Sequence, residues 1–257
     1  MESGSYNEAT NGFRAVDVSN MLKENRMNQP LSSGGRFGQG GVTDAVVRNK
    51  VLRNTYWLLA VSLVPTVMGA WLGLATGIAN GLTGFMGLLV FLGGMMGFQY
   101  AIYRNRDSGL GVALLLAFTF FMGVMLSRLL GTVLGMNNGT SLVMSAFAST
   151  AGVFGVMAML STVIKRDLSG MGRWLFAGMI AVLIAGVIGM FMGSSAMMVG
   201  ITVLSTVIFS LYMLYDLKSI MDGGETNYVM ATTRLYIDIF AVFQNLLALF
   251  GIFGGND

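Results

Sequence analysis

Two carboxylates stand inside apolar sequence that holds few other charges: Asp216 in LYMLYDLKSIM and Asp238 in TTRLYIDIFAV, in a chain of 257 residues of which 11% are charged. An aspartate carried to the centre of a membrane helix costs about 2.5–3.5 kcal/mol on insertion scales, so each needs a partner, a proton or water. The chemistry open to such a pair is proton sharing. Two carboxyl groups within hydrogen-bond reach in a medium of low dielectric cannot both ionise cheaply, so one hydrogen ion serves both, and its loss near neutral pH drives the helices apart. A weak, transient calcium site at Asp216 and Asp238 is a second use of the same atoms, completed by backbone carbonyls or water. Basic residues offer a plainer fate. Arg234 stands four residues before Asp238 and Lys218 four before Asp222, the same-face spacing of helical ion pairs, which would leave Asp238 neutralised and Asp216 reaching interfacial water. Tyr212, Tyr215 and Tyr236 flank the acids and could supply hydroxyl groups.

The elements that must position these residues are membrane helices. Hydrophobic residues make up 54% of the chain, mean hydropathy is +0.70, and the apolar stretches approach the roughly 20 residues that a bilayer-spanning helix needs. The expected fold is therefore an all-α membrane protein. Seven spans fall at approximately Tyr56–Thr76, Gly84–Tyr103, Gly109–Leu130, Ser141–Ile164, Trp174–Met192, Ala196–Tyr215 and Tyr228–Phe253. The connections alternate between uncharged pieces (TGIANGLTG, GTVLGMNNG, GSS) and charged ones (RNRDS, KRDLSGMGR, DLKSIMDGGETN). The excess of Lys and Arg on cytoplasmic loops then places the N-terminus in the cytoplasm and, after seven spans, the C-terminus outside. The hairpin through Asp222–Asn227 brings Asp216 and Asp238 into the same, cytoplasmic half of the bundle. Arg128, in MLSRLLG near the outer end of the third span, is the basic residue that breaks the alternation; it either snorkels to the interface or faces a wet interior as an ion-pair partner for an acid.

Small residues recur at four-residue spacing, at Gly69/Gly73/Gly77, Gly93/Gly97, Ala148/Gly152 and Ala181/Ala185/Gly189/Gly193, which predicts close helix crossings in a compact bundle. The 22 methionines read as adaptable packing. With no cysteine and no histidine, disulfides, Cys/His metal centres and histidine-based catalytic triads are excluded. The net charge of +3 does not point to nucleic acid, because the basic residues flank apolar segments instead of forming one patch. No phosphate-cradling GxxxxGK[ST] and no dinucleotide GxGxxG occurs. Asn138-Gly139-Thr140 matches a glycosylation acceptor, a pattern too short to carry weight. Residues 1–52 are polar and rich in Gly, Asn and Ser, and are expected to form a flexible cytoplasmic tail ahead of a membrane domain at 53–257.

Three stretches together carry a resemblance: VLRNTYWLL at Val51–Leu59, LYMLYDLKSI at the end of the sixth span, and GGETNYVMATTRLYIDIF at Gly223–Phe240 followed by LLALFG. They resemble the Bax inhibitor family, the transmembrane Bax-inhibitor-motif proteins, most closely its bacterial YccA branch. The resemblance implies a seven-helix fold in which two three-helix layers enclose a central seventh helix, with Asp216 and Asp238 at the positions of a pH-responsive pair. It also implies a bacterial inner-membrane location and an association with the membrane protease FtsH, as substrate and modulator, through the N-terminal tail. Channel-type relatives imply a calcium leak gated by the pair. Those relatives place an arginine within the second helix to latch the helix-six acid, whereas the basic residues of that helix here, Arg104 and Arg106, stand at its cytoplasmic end.

The functional expectation is a modulator of FtsH, with a pH-sensitive calcium leak as the alternative. No enzyme activity is expected. Intramembrane aspartyl proteolysis would use two such acids and Tyr215-Asp216 fits its context, but Asp238 follows Leu-Tyr-Ile instead of Gly-x-Gly, and no Pro-Ala-Leu element exists in a chain whose prolines are Pro30 and Pro65. No bound cofactor is expected beyond transient Ca2+.

Overall fold

The structure, a computed structural model, describes residues 36–81 and 84–254, with side chains from Arg48 onward. Among the described residues seven α-helices follow one another: α1 Arg36–Thr76, α2 Gly84–Asn105, α3 Gly109–Leu134, α4 Gly139–Val163, α5 Met171–Met192, α6 Ser195–Met221 and α7 Tyr228–Gly254, with a short 3-10 turn at Ile78–Gly81 after α1. No strand occurs among the described residues. All seven helices are long and apolar enough to cross a membrane, α1 by its part Arg48–Thr76. The protein is an all-α membrane protein.

The expected spans match these helices closely, the larger shifts being at the start of the first, where the spanning part begins at Arg48 instead of Tyr56, and at the end of the sixth. The helix continues past Tyr215 to Met221 because no breaker intervenes before Gly223, which takes φ +81°, a left-handed conformation that glycine adopts without steric penalty. Asp216 and Lys218 therefore lie within α6. Of the tail expected at 1–52, residues 1–35 lie outside the described ones, while the bounds of α1 include its remainder. Pro65 inside α1 removes one backbone donor. Around it the Ser62 hydroxyl donates to the Leu58 carbonyl at 2.7 Å and that of Thr66 to the Ser62 carbonyl at 2.8 Å, so these two hydroxyls are satisfied within the helix.

Backbones approach closely where α1 meets α3. A Cβ added at Gly69 would overlap the Phe120 carbonyl, one at Gly73 the Ser127 side chain, and one at Gly123 the Thr66 carbonyl and the Ala70 amide. In lipid, where no water is expelled between helices, such contact supplies dispersion that larger residues would hold off. Of the other small-residue faces expected from spacing, Gly93, Gly97 and Gly152 meet nothing within 4 Å. Gly193 instead ends α5 at φ +63°. Spacing alone did not separate a crossing from a lipid-facing groove.

Helix α7 packs against α2, α3, α4 and α6. Besides apolar packing with Val51, Leu58 and Leu59, polar contacts tie it to α1: the Thr66 and Tyr236 hydroxyls lie 2.8 Å apart, and Thr232 Oγ1 donates to the Thr55 carbonyl at 3.4 Å. Two apolar clusters share α7. On one side Tyr236, Phe240 and Leu247 meet Leu115, Phe118 and Met122 of α3; on the other Ala231, Leu235 and Val242 meet Met213, Leu217 and Ile220 of α6.

Candidate functional site

The second cluster explains how the acids are placed. On α7 the residues 231, 235 and 242 that face α6 recur at three- and four-residue steps about 238, and on α6 the residues 213 and 220 stand three before and four after 216, with 217 beside it. Residues at such spacings share one face of a helix. Asp216 and Asp238 therefore stand on the two facing stripes, each among apolar neighbours. Both are buried, 6% and 4% exposed, and their carboxyl groups come within hydrogen-bonding range of each other. Among the described residues Oδ2 of Asp238 has no donor.

The basic residues do not close on the pair as spacing suggested. Arg234 turns back to Glu225, Nη2 to Oε2 3.2 Å, instead of forward to Asp238, and acts on both aspartates only through space. The loop explains the choice: Glu225 is held at the base of α7 by the Asn227 amide, which donates to Glu225 Oε1 at 3.0 Å, and there it lies beside the outward face of the first turn and a half. Lys218 does pair with Asp222, at 2.7 Å, as the i,i+4 rule predicts. Arg128 is not brought to the acids. It is exposed and lines a recess with Gly84, Gly87, Leu88 and Gln244. Arg106 lies beside Asp107 at 3.6 Å and over the Tyr103 ring. Tyr236, expected near the acids, points its hydroxyl at Thr66, and no hydrogen bond from Tyr212 or Tyr215 to either acid is found among the described residues.

The residue that sequence reasoning missed is Asn227. Its Oδ1 accepts from the amides of Val229 at 3.0 Å and Met230 at 3.1 Å, capping α7 at its otherwise unpaired N-terminal donors. Its Nδ2 donates to the Arg106 carbonyl at 3.1 Å and to Asp107 Oδ1 at 2.8 Å. One side chain thus starts the helix that carries Asp238 and fastens it to the α2–α3 turn. The signal was in view, an Asn immediately before an apolar helix, but the second pair of bonds spans some 120 residues and no local pattern encodes it. Arg48 adds a further tie, donating to the Met221 carbonyl at the end of α6 at 3.1 Å. Outside the membrane spans, the Asp167 carboxyl is held below its usual range by the backbone amide and hydroxyl of Ser169. At the other end of the bundle the Asn138 amide donates to the Gly254 carbonyl at 2.7 Å, so this side chain serves packing.

The arrangement offers two shielded carboxyl oxygen pairs and little else for a cation. No cluster of three or more His, Cys, Asp or Glu side chains occurs among the described residues. A tightly held divalent ion, which takes about six to eight oxygens, finds no such set here.

Comparison with known proteins supplies the lineage. The family model described as Inhibitor of apoptosis-promoting Bax1 matches residues 48–255. The chain belongs to the Bax inhibitor family. Similar members of the family include an uncharacterized membrane protein of Vibrio cholerae, 34% identical over 209 residues covering 81% of this chain and 92% of that protein. An uncharacterized Pseudomonas aeruginosa protein is 35% identical over 208 residues, 80% of this chain and 91% of its own. A protein of Escherichia coli K12 named Modulator of FtsH protease YccA is 32% identical over 209 residues, 81% of this chain and 93% of its length. The family match begins at Arg48, the residue whose guanidinium reaches the end of α6.

Proposed function

We propose that this protein is a multi-pass bacterial inner-membrane protein that modulates a membrane-embedded protease of the FtsH kind, its N-terminus cytoplasmic and its C-terminus outside. The observation that carries this is the match along almost the whole length of the E. coli protein named for that role. The fold supports it physically. A protease that pulls substrates from the bilayer must break the polar ties of α7 and the backbone contact of α1 with α3 before any helix leaves. A bundle held in that way occupies such an enzyme longer than it feeds it. The segment before the membrane domain is the handle in this reading. Removing residues 2–44 is expected to abolish co-purification with FtsH and to restore degradation of its other substrates. Undiminished co-purification of the shortened chain sinks the reading. No catalysis by the protein itself is required.

A second reading rests on the buried carboxyl pair. With one proton between Asp216 and Asp238 the acids hold α6 and α7 together; with both ionised, like charges in low dielectric repel and the cytoplasmic half loosens enough to pass a cation, Ca2+ being the cargo. In calcium-loaded vesicles Asp238→Asn, which keeps a hydrogen-bonding side chain but no titrating proton, is expected to remove the pH dependence of efflux. Efflux that keeps the wild-type pH profile excludes the pair as a gate. Loss of FtsH binding and loss of the pH-dependent leak are separate readouts, so either reading stands or falls by itself.

A further inference from the structure

The recess at Arg128 lies away from the acid pair and has a different character. Among the described residues Arg128 makes no ion pair, no acid lines the recess, and its other polar side chain is Gln244 of α7. Gly84 and Gly87, in the first turn of α2, form part of the wall, where helix amides lack intrahelical acceptors and add positive potential. Beyond Leu88, which belongs to both, a crevice opens between α2 and α5, lined by Leu88, Leu92, Leu183, Ile184, Val187 and Ile188 and wholly apolar.

Depth matters as well as charge. Helix α3 has 26 residues, about 39 Å at 1.5 Å per residue, against a hydrocarbon core of about 30 Å. Arg128 stands six residues before its last residue, Leu134, roughly 9 Å from that end and so about 4–5 Å inside the hydrocarbon boundary of a centred helix. A guanidinium on a flexible stem reaches from there to the level of the lipid phosphates.

We infer that this recess holds the headgroup phosphate of an anionic phospholipid from the leaflet at the α2 N-terminal end, with an acyl chain in the α2–α5 crevice. Arginine matches phosphate geometry with paired donors, the Gln244 amide supplies a further donor, and the described lining offers no acid as counter-charge to a zwitterionic headgroup's ammonium. A free anion would use the arginine but gain nothing from the apolar crevice. The lipid uses both.

Native mass spectrometry of the full-length protein with added dioleoyl phosphatidylglycerol tests this. One retained lipid is expected, with retention down about tenfold in Arg128→Gln and less so in Arg128→Lys, which keeps the charge but not the paired donors. Leu88→Trp, which fills the mouth of the crevice and spares the charge, is expected to lower retention comparably, and it decides the matter if Arg128→Gln does not fold. Dioleoyl phosphatidylcholine is expected to be retained less, and excess inorganic phosphate to leave the bound lipid in place. Unchanged retention in Arg128→Gln or Leu88→Trp, equal retention of phosphatidylcholine, or displacement by inorganic phosphate each overturns the inference.

Discussion

A leucine at position 123 is expected to leave almost no folded protein after extraction into mild detergent. The Cβ alone would overlap the Thr66 carbonyl and the Ala70 amide, and the obstacle is backbone on both sides, so no side chain can swing away. Overpacking of a core costs about 1–3 kcal/mol when flexible groups can yield, and here α1 and α3 must separate along their length, which puts the cost at the top of that range or above. Separation also strains the Thr66 to Tyr236 bond, which joins α1 to α7 one step from the crossing. The control is Gly152→Ala, where a new methyl meets nothing within 4 Å and helix propensity improves by up to about 1 kcal/mol. Thermal melting of the two variants by fluorescence-detected size exclusion checks the contrast. A Gly123→Leu protein that melts with the wild type means the helices do not cross so closely.

Asn227→Ala carries the second large effect. It removes the cap from two amides of α7, worth about 1 kcal/mol, and two bonds to the α2–α3 turn, each worth about 1 kcal/mol when neither end is left buried and unpaired. A loss of roughly 2–3 kcal/mol is expected, together with faster protease cleavage at residues 104–108. Asn227→Asp keeps the capping acceptor but loses both donors and faces the Asp107 carboxylate, so it should recover only the capping part. Equal stability of the aspartate variant and the wild type would show that the tie to the α2–α3 turn contributes nothing.

Much of this architecture was readable in the residues. Apolar runs of bilayer length gave all seven helices, because a chain in lipid satisfies its backbone only by staying helical. The hairpin through Asp222–Asn227 made it readable that both acids lie in one half of the bundle, while the stripes on which they sit, with Met213 and Ile220 on α6 and Ala231, Leu235 and Val242 on α7, emerge from the packing. Pairings that depend on the path of a turn were not readable. Arg234 has Asp238 at helical spacing, yet the loop delivers Glu225 to it first. Tyr236 reads as a partner for the acids by proximity in sequence, but its position one residue past Leu235 on the helix turns it to α1 and α3. Small-residue spacing marked Gly69 and Gly73 correctly and Gly93, Gly97 and Gly152 falsely, because in lipid an unfilled groove carries little penalty and leaves no trace in the residue pattern. Asn227 was visible as a residue and invisible as a clip, since half its bonds reach a turn made more than a hundred residues earlier.

The facing of α6 with α7 has a consequence for how the protein is made. Asp216 and Asp238 are 22 positions apart, so a ribosome adding about 5–20 residues per second makes the first acid roughly 1–4 s before the second. Until α7 packs beside it, α6 carries a carboxyl without its partner, a group better accommodated at the wet interface or in the translocon than in lipid. A chain that lacks α7 therefore holds in α6 a membrane-embedded acid with nothing to offset it.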